Sequence, residues 1–220
     1  MEIYLNKVRP FPISIPKNNI PTKRYVWGND CLFEATKQYK IIAPSGTGKS
    51  TLTHILAGIR HDYDGEIAIN NINIKSFSSS DWEKTRTSEF AFVFQSLKLF
   101  PQLTVSENLT LKSEWCMEYQ TKIINKYAEK LGLSPFMNIP VSKLSFGQCQ
   151  RIAIIRAICQ PFKWIILDEP FSHLDATNRD IAWNLIQQVA EEKNAGIILC
   201  LLDEIDSIQV NQTFYLSSND

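Results

Sequence analysis

The hydrophobic positions of the chain fall mainly into short continuous runs of strand length. The clearest runs are YKIIA (39–43), EFAFVFQ (89–95), KWIILDE (163–169) and GIILCLL (196–202). Apolar runs without polar alternation are typical of strands that are buried on both faces of a sheet. Two weaker patterns, a turn with alternating residues at 63–74 and QTFYLSS at 212–218, predict further strands.

Stretches with apolar residues at helical spacing separate these runs. The spacing predicts helices over 49–59, 145–159 and 178–193. The first of them should end near Gly58 and the second before Pro161. Residues 10–21 contain four prolines, which predict an irregular or edge segment because proline cannot donate to a sheet ladder.

The segment 96–144 differs from the rest of the chain because its pattern is mostly helical, chiefly over 105–119 and 121–131. Elsewhere strands alternate with helices, which favours an α/β fold with a mostly parallel sheet covered on both faces. We therefore predict a single domain over 1–220. It would have a core of 1–95 and 145–220, a small antiparallel β region, and a helical subdomain inserted at 96–144.

Composition narrows the function without naming it. The 220 residues include 23 basic and 23 acidic residues, and this balance argues against a nucleic-acid partner, since such proteins usually carry a basic excess. No apolar run approaches the roughly 18 residues that span a bilayer, and the N-terminal sequence lacks the pattern of a signal peptide. We expect a cytoplasmic chain whose five scattered cysteines are reduced and mostly buried.

The sequence APSGTGKS (43–50) follows a buried run and precedes a predicted helix. Glycines let a backbone wrap phosphate oxygens and a helix N-terminus favours negative charge, so the pattern predicts the P-loop of a P-loop NTPase core. Lys49 would reach the β- and γ-phosphates, and the Ser50 hydroxyl would bind Mg²⁺. An ordinary glycine-rich turn is the alternative, and Ala43 stands where the motif usually has its first glycine. The candidate binding residues are Ser45, Gly46, Thr47, Gly48, Lys49, Ser50 and Thr51.

Two acidic residues follow the apolar run WIILDEP (164–170). Ligands of open α/β sheets lie at the carboxyl ends of the strands, so both carboxylates are expected near the P-loop. Asp168 could hold Mg²⁺ through water, and Glu169 could polarise an attacking water. Gln95 ends another predicted strand, where its amide could touch Mg²⁺ and that water. Alternatively, Asp168 and Glu169 are simply two solvated acids that follow a buried strand.

The stretch KLSFGQCQRIAIIRAI (143–158) has a capping-box spacing between Ser145 and Gln148. One interpretation is simply a well-capped helix. The other is a second phosphate-binding site, made by the helix N-terminus, the Ser145 hydroxyl and Gly147. If the inserted helical segment holds this site away from the P-loop, it would serve the nucleotide of a partner subunit.

The order of these motifs resembles that of the ABC ATPases, and in particular the nucleotide-binding subunits of ABC transporters. The resemblance runs from about Leu32 to Leu216 and includes SHLD (172–175). It assigns Lys49 and Ser50 to Walker A, Gln95 to the Q-loop, Ser145, Gly147 and Gln148 to the signature, Asp168 to Walker B, Glu169 to the catalytic glutamate and Asp175 to the D-loop. Residues 90–109 are most similar to the lipoprotein-releasing, macrolide-exporter and cell-division subgroup.

The resemblance also implies ligands and partners. It implies that ATP and Mg²⁺ are bound between two ATP-binding subunits, as a homodimer or a heterodimer, and that an integral-membrane permease is driven by their turnover. The chain would then lie on the cytoplasmic face of the membrane. The apolar residues Leu99, Phe100 and Pro101 after the Q-loop would line a groove for a short permease helix, or would instead pack inward.

The sequence departs from the family pattern at several positions. Phe146 replaces the first signature glycine, and Leu202 stands where the family has a histidine that contacts the γ-phosphate. His173 could supply that contact from the opposite subunit, or could be an ordinary exposed turn residue. The family's adenine-stacking aromatic residue is also missing, since its position falls near Ile20. Possible substitutes, each also explained by ordinary packing, are Phe11, Tyr25 and Trp27.

Three hypotheses follow from this pattern. The leading one is a transport ATPase subunit. The second is an ATP-dependent dimerisation switch with little turnover, favoured by Leu202 and opposed by Glu169. The third is an ABC ATPase acting on nucleic acid or ribosomes, which the balanced charge disfavours.

Overall fold

The strands of the chain form two sheets of different kinds. The computed structural model describes residues 1–13, 23–111 and 117–216, without side chains at 117–120. Within these ranges the strands are β1 (Glu2–Pro10), β2 (Cys31–Glu34), β3 (Gln38–Ile42), β4 (Tyr63–Ile69), β5 (Ile72–Asn73), β6 (Phe90–Val93), β7 (Trp164–Asp168), β8 (Gly196–Leu201) and β9 (Gln212–Tyr215).

The larger sheet has the strand order β6-β7-β8-β3-β9, and all its pairs are parallel. The smaller sheet has the order β2-β1-β4-β5, and all its pairs are antiparallel. This confirms the predicted α/β fold with a mostly parallel sheet and a small antiparallel region. The carboxyl ends of the parallel strands meet at one edge, and that edge positions the candidate site.

Helices cover the parallel sheet. In the described residues they are α1 (Lys49–Leu56), α2 (Ser79–Lys84), α3 (Val105–Thr110), α4 (Met117–Lys130), α5 (Phe146–Cys159) and α6 (Ala176–Glu192), with short helical turns at 74–76, 85–89, 134–136 and 141–143. The described part of 96–144 contains helices and turns and no strand longer than a single bridge. Among these helices, each is too short or too polar to cross a membrane.

The structure differs from the sequence expectations in both strands and helices. Strands β1 and β2 and helix α2 were not predicted. Helix α3 ends at Thr110, earlier than the predicted 105–119, and residues 112–116 lie outside the described part. Residues 14–22, most of the proline-containing segment, also lie outside it.

The hydrophobic core consists of two clusters, one on each face of the parallel sheet. Along β7, Ile165 and Leu167 belong to the cluster under α5 and α6, whereas Trp164 and Ile166 belong to the cluster shared with α1 and the antiparallel sheet. Both faces of the sheet are covered, so the residues that point to either face of a strand are apolar. This explains the continuous apolar runs in the sequence.

The cysteines support the expectation of reduced thiols. Cys31 and Cys200 are buried, and Cys149 and Cys159 pack half-buried against the core, all as free thiols. Burial raises the pKa of Cys31 and Cys159 to about 12, so both remain protonated at neutral pH. Cys116 lies outside the described residues.

Gly196 allows β8 to lie against the indole of Trp164. A Cβ atom at this position would lie 2.4 Å from a ring carbon of Trp164, which is fully buried. We expect Gly196→Ala to lower the free energy of unfolding by about 1–3 kcal/mol, the usual cost of overpacking a core. Urea unfolding would measure it. In a Trp164→Phe background the alanine should cost less, and an equal cost in both backgrounds would contradict this explanation.

Candidate nucleotide site

The loop between β3 and α1 has the backbone of a phosphate-binding loop. Gly46 and Gly48 have φ values of +81° and +107°, in the left-handed region that favours glycine. A Cβ atom on Gly48 would also lie 2.6 Å from the Ile13 side chain. The indole of Trp27 donates a hydrogen bond of 3.1 Å to the Thr47 carbonyl. The loop therefore packs against the buried ring of Trp27 on one side and lies close to the Ile13 side chain.

Lys49 is the first residue of α1 and is 5% exposed. Its ammonium donates to the carbonyl oxygens of Ala43 at 2.6 Å and Pro44 at 3.0 Å. It also forms an ion pair of 3.2 Å with Glu169. A buried cation thus lies under the loop, held by partners that a bound anion can replace.

Asp168 ends β7 and is 2% exposed. One of its carboxylate oxygens, Oδ1, is buried and has no hydrogen-bond partner among the described residues. Burial raises the pKa of Asp168, although a hydrogen bond from Ser50 opposes the shift. A nearby cation would stabilise the ionised form of such a carboxylate. The Ser50 hydroxyl lies 3.3 Å from Gln95 Oε1.

The donor set formed by Ser50, Gln95 and Asp168 fits Mg²⁺. This ion prefers oxygen ligands and is often held by one or two carboxylates together with substrate phosphates. The described residues contain no group of three or more acidic, histidine or cysteine side chains that would hold a metal alone. Delivery of further oxygen ligands by a phosphorylated ligand would be consistent with the way Mg²⁺ is usually held.

Glu169 follows β7 in an unusual conformation. Its φ of +49° lies in the left-handed region, which is costly for a residue other than glycine. Its N–H donates to the Cys200 carbonyl at 3.0 Å, and its carbonyl accepts from Gln150 Nε2 at 3.3 Å. These contacts hold the strained backbone and direct the carboxylate towards Lys49.

These groups line one cavity of about 580 Å³. It collects the predicted residues Ser45, Gly46, Thr47, Gly48, Lys49, Ser50, Thr51, Gln95 and Glu169. Its lining also includes Pro12, Ile13 and Arg60, which the sequence did not indicate. No motif marks Arg60 in the sequence, because its place in the site depends on contacts with Thr51 and Phe11 that form only in the fold.

The predicted capping box is present at the start of α5. Ser145 Oγ accepts from the Gln148 N–H at 3.2 Å, and the Ser145 N–H donates to Gln148 Oε1 at 2.8 Å. Only glycine fits at position 147, because a Cβ atom there would lie 2.7 Å from the His173 carbonyl oxygen. None of these three signature residues is part of the described lining of the P-loop cavity.

Gln150 is a residue that the sequence did not single out. Although 1% exposed, its amide is fully used. It donates to Ser172 Oγ at 2.8 Å and to the Glu169 carbonyl, and accepts from the His173 N–H at 3.0 Å. Gln150 thus fastens the segment after β7 to α5.

The remaining predicted positions have simple environments. Asp175 is the N-cap of α6 and accepts from the Asn178 N–H at 2.8 Å, which lowers the pKa of its carboxyl group. Tyr25 and Trp27 are buried, which leaves neither ring free to stack on adenine, and Phe11 is half-exposed. Ile20 lies outside the described residues.

Leu202 is 39% exposed and borders a cavity of about 200 Å³ that Glu169 also lines. His173 is exposed as well. Its Nδ1 lies 3.0 Å from Ser172 Oγ, and its ring centroid lies 4.3 Å from that of Phe146. Leu202 and His173 therefore lie outside the lining of the P-loop cavity.

A groove lies beside β6, with a volume of about 280 Å³. We call it the phenylalanine groove. Phe100 is 53% exposed and lines it, whereas Leu99 packs half-buried against the core. The expectation of a groove is met by Phe100, and the expectation of inward packing is met by Leu99. The groove is lined by Ala57, Ile59, Arg86, Phe92, Phe94, Lys98, Phe100, Arg156, Ala157 and Gln160.

Comparison with known proteins agrees with this geometry. The family model described as ABC transporter matches residues 30–172. The aliphatic sulfonates import ATP-binding protein SsuB of Bacillus anthracis is 33% identical over 178 residues, which cover 81% of this chain and only 65% of that protein. The lipoprotein-releasing system ATP-binding protein LolD of Legionella pneumophila is 30% identical over 181 residues, covering 80% of this chain and 79% of LolD.

Among solved structures, the dimeric structure of MJ0796, a bacterial ABC transporter cassette, superposes with a TM-score of 0.76. It is 28% identical in sequence, and the superposition covers 91% of this chain and 88% of MJ0796. Fold, motif geometry and sequence similarity lead to one conclusion. The chain belongs to the ABC transporter family, as one of its ATP-binding domains.

Proposed function

We propose that this chain is the ATP-binding and ATP-hydrolysing subunit of an ABC transporter. The observation that carries the proposal is the single cavity formed by the P-loop, Lys49, Gln95 and Glu169. It joins phosphate-binding groups to a carboxylate that can act as a base. The names of the relatives, which describe ATP-binding proteins of import and lipoprotein-releasing systems, support it.

In the proposed site the triphosphate lies along the P-loop at the N-terminus of α1. Loop N–H groups and the helix dipole favour its charge, and Lys49 would exchange its contact with Glu169 for contacts with the phosphates. Glu169, released from that contact, would accept a proton from the attacking water. Ser50, Gln95 and Asp168 would hold Mg²⁺, which when bound neutralises charge on the phosphates.

We further propose that two copies of the chain, or one copy and a related chain, enclose the nucleotides. Ser145, Gly147, Gln148 and Asp175 are displayed away from the P-loop cavity, as a site that serves a second subunit would be. The structures of MJ0796 support this arrangement, since that cassette is dimeric, and in one structure it is bound to ADP and Pi in a post-hydrolysis state.

The partner that we propose for the phenylalanine groove is a short cytoplasmic helix of a membrane permease. The groove combines the exposed ring of Phe100 and the half-buried rings of Phe92 and Phe94 with cationic side chains, so it suits an amphipathic helix with an acidic residue. The cations are Arg86, Lys98 and Arg156. This places the chain on the cytoplasmic face of a membrane. We also propose that 96–144 is a helical subdomain beside a core of 1–95 and 145–220.

The alternative functions are weaker candidates. A dimerisation switch with little turnover would need Lys49 and Asp168 for ATP and Mg²⁺, but it would not need the Glu169 carboxylate beside the P-loop. The subgroup expected from 90–109 remains a prediction, because sulfonate-import and lipoprotein-releasing proteins have similar identity to this chain.

Removal of the Lys49 ammonium should abolish ATP binding. Each charge-assisted hydrogen bond contributes about 1.5–3 kcal/mol, so we expect Lys49→Ala to weaken ATP binding by about 100-fold or more in calorimetry. Urea unfolding of Lys49→Ala and Lys49→Gln would show that both variants still fold. Unchanged affinity in a folded variant would refute the P-loop assignment.

Lys98 should report the membrane partner. An amine-reactive crosslinker applied to native membranes is expected to join Lys98 to a multi-span membrane protein, since Lys98 lines the phenylalanine groove. Lys98→Arg is the matched control, because it keeps the charge and removes the reactive amine. Products that contain only proteins without membrane spans would count against a transporter subunit.

Leu202 should limit turnover, because leucine cannot donate a hydrogen bond to the γ-phosphate. A lost donor of this kind typically costs about 10²–10³ in rate. We expect slow basal hydrolysis, a long-lived ATP-bound dimer and only a modest effect of Glu169→Gln on dimer lifetime. Leu202→His should raise the steady-state ATPase rate by up to about 100-fold, since the adjoining cavity can admit the ring.

Two controls separate this explanation from its competitor. Leu202→Phe introduces a ring without a donor and should leave the rate low. If His173 of the opposite subunit already supplies the donor, His173→Ala should collapse activity and Leu202→His should change little. Rapid wild-type turnover that is insensitive to His173→Ala would contradict both versions.

A further inference from the structure

Arg60 lines the P-loop cavity and is held rigidly. Both carboxylate oxygens of Asp62 accept from it, at 2.5 Å from Nε and 2.7 Å from Nη2. Its Nη1 donates to Thr51 Oγ1 at 3.0 Å, and its Nη2 donates to the Phe11 carbonyl oxygen. The guanidinium therefore joins α1, the turn after it and the N-terminal segment.

These contacts determine what Arg60 can still offer a ligand. A guanidinium has five N–H donors, all in one plane, and the contacts with Asp62, Thr51 and Phe11 use four of them. What remains is mainly the flat face of a delocalised cation, which stacks on aromatic rings. Pro12 and Ile13 add aliphatic surface to the same cavity.

The cavity is thus chemically divided. One end suits phosphates, because it carries Lys49, Ser50 and the loop N–H groups. The other end offers the planar cation of Arg60 and the apolar surface of Pro12 and Ile13, with few free hydrogen-bond donors. A nucleoside triphosphate has the same division, with charged phosphates at one end and a flat base at the other.

We propose that the guanidinium face of Arg60 is the surface on which the base of the bound nucleotide stacks. The proposal rests on the proposed function, because it assumes that the phosphates occupy the P-loop. Stacking depends on the face of the base and not on its edge. Since four of the five in-plane donors of Arg60 are already engaged, ATP and GTP should bind alike through this residue.

Calorimetry with ATP, GTP and sodium tripolyphosphate tests the proposal. Tripolyphosphate has no base, so it reports the phosphate end of the cavity alone. We expect Arg60→Ala to weaken ATP and GTP binding by about 10-fold each, within the usual range for loss of one stacking surface, and to leave tripolyphosphate binding unchanged. Arg60→Tyr should restore nucleotide affinity, whereas Arg60→Lys, which keeps the charge and loses the plane, should not.

Controls make each outcome decisive. Arg24→Ala removes an exposed arginine outside this cavity and should affect no ligand. Equal losses for ATP and tripolyphosphate, or failure of Arg60→Tyr to restore affinity in a protein with normal urea unfolding, would overturn the proposal. If the wild-type chain binds neither nucleotide nor tripolyphosphate, the proposed function fails and the inference with it. If Lys49→Ala abolishes all three ligands and Arg60→Ala changes none, only the inference fails.

Discussion

The parallel register of β3, β8 and β7 is the constraint on which the site depends. Ile42 pairs with Leu201, and Asp168 pairs with Cys200, so the three strands end close together at one edge. A slip of one residue would exchange the two faces of a strand, and both faces are packed in separate core clusters. Core packing therefore determines the positions of the P-loop, the acidic pair and Leu202 at the ends of these strands.

Within that frame, Glu169 couples two parts of the molecule. Its left-handed backbone is held by Cys200 on β8 and by Gln150 on α5. The same amide of Gln150 holds Ser172 and His173, and Gly147 lets α5 approach His173 closely. Movement of the α5 N-terminus would therefore shift the Glu169 carboxylate beside Lys49, because the hydrogen bonds of Gln150 could not all be kept.

The sequence was informative where function depends on local order along the chain. The P-loop, the acids after β7 and the capping box at Ser145 are contiguous motifs, and they occur in the structure as predicted. Strand β1 was missed because its alternation is interrupted by a register shift between Asn6 and Arg9. Gln150 was missed because its partners lie 19 to 23 residues away. Arg60 was missed because no motif marks it and its contacts with Thr51 and Phe11 form only in the fold.

Three departures from the family pattern, Phe146, His173 and Leu202, lie outside the lining of the P-loop cavity. Phe146 and His173 contact each other on the exposed side of α5, and Leu202 lies partly exposed beyond β8. The P-loop residues and Lys49, by contrast, lie within the cavity of one chain and are the residues that the motif predicts. If the cavity residues bind the triphosphate as proposed, these three substitutions should act mainly on steps that follow its binding to the P-loop. Subunit closure and the positioning of water are such steps, and this chain is altered where those steps would be controlled.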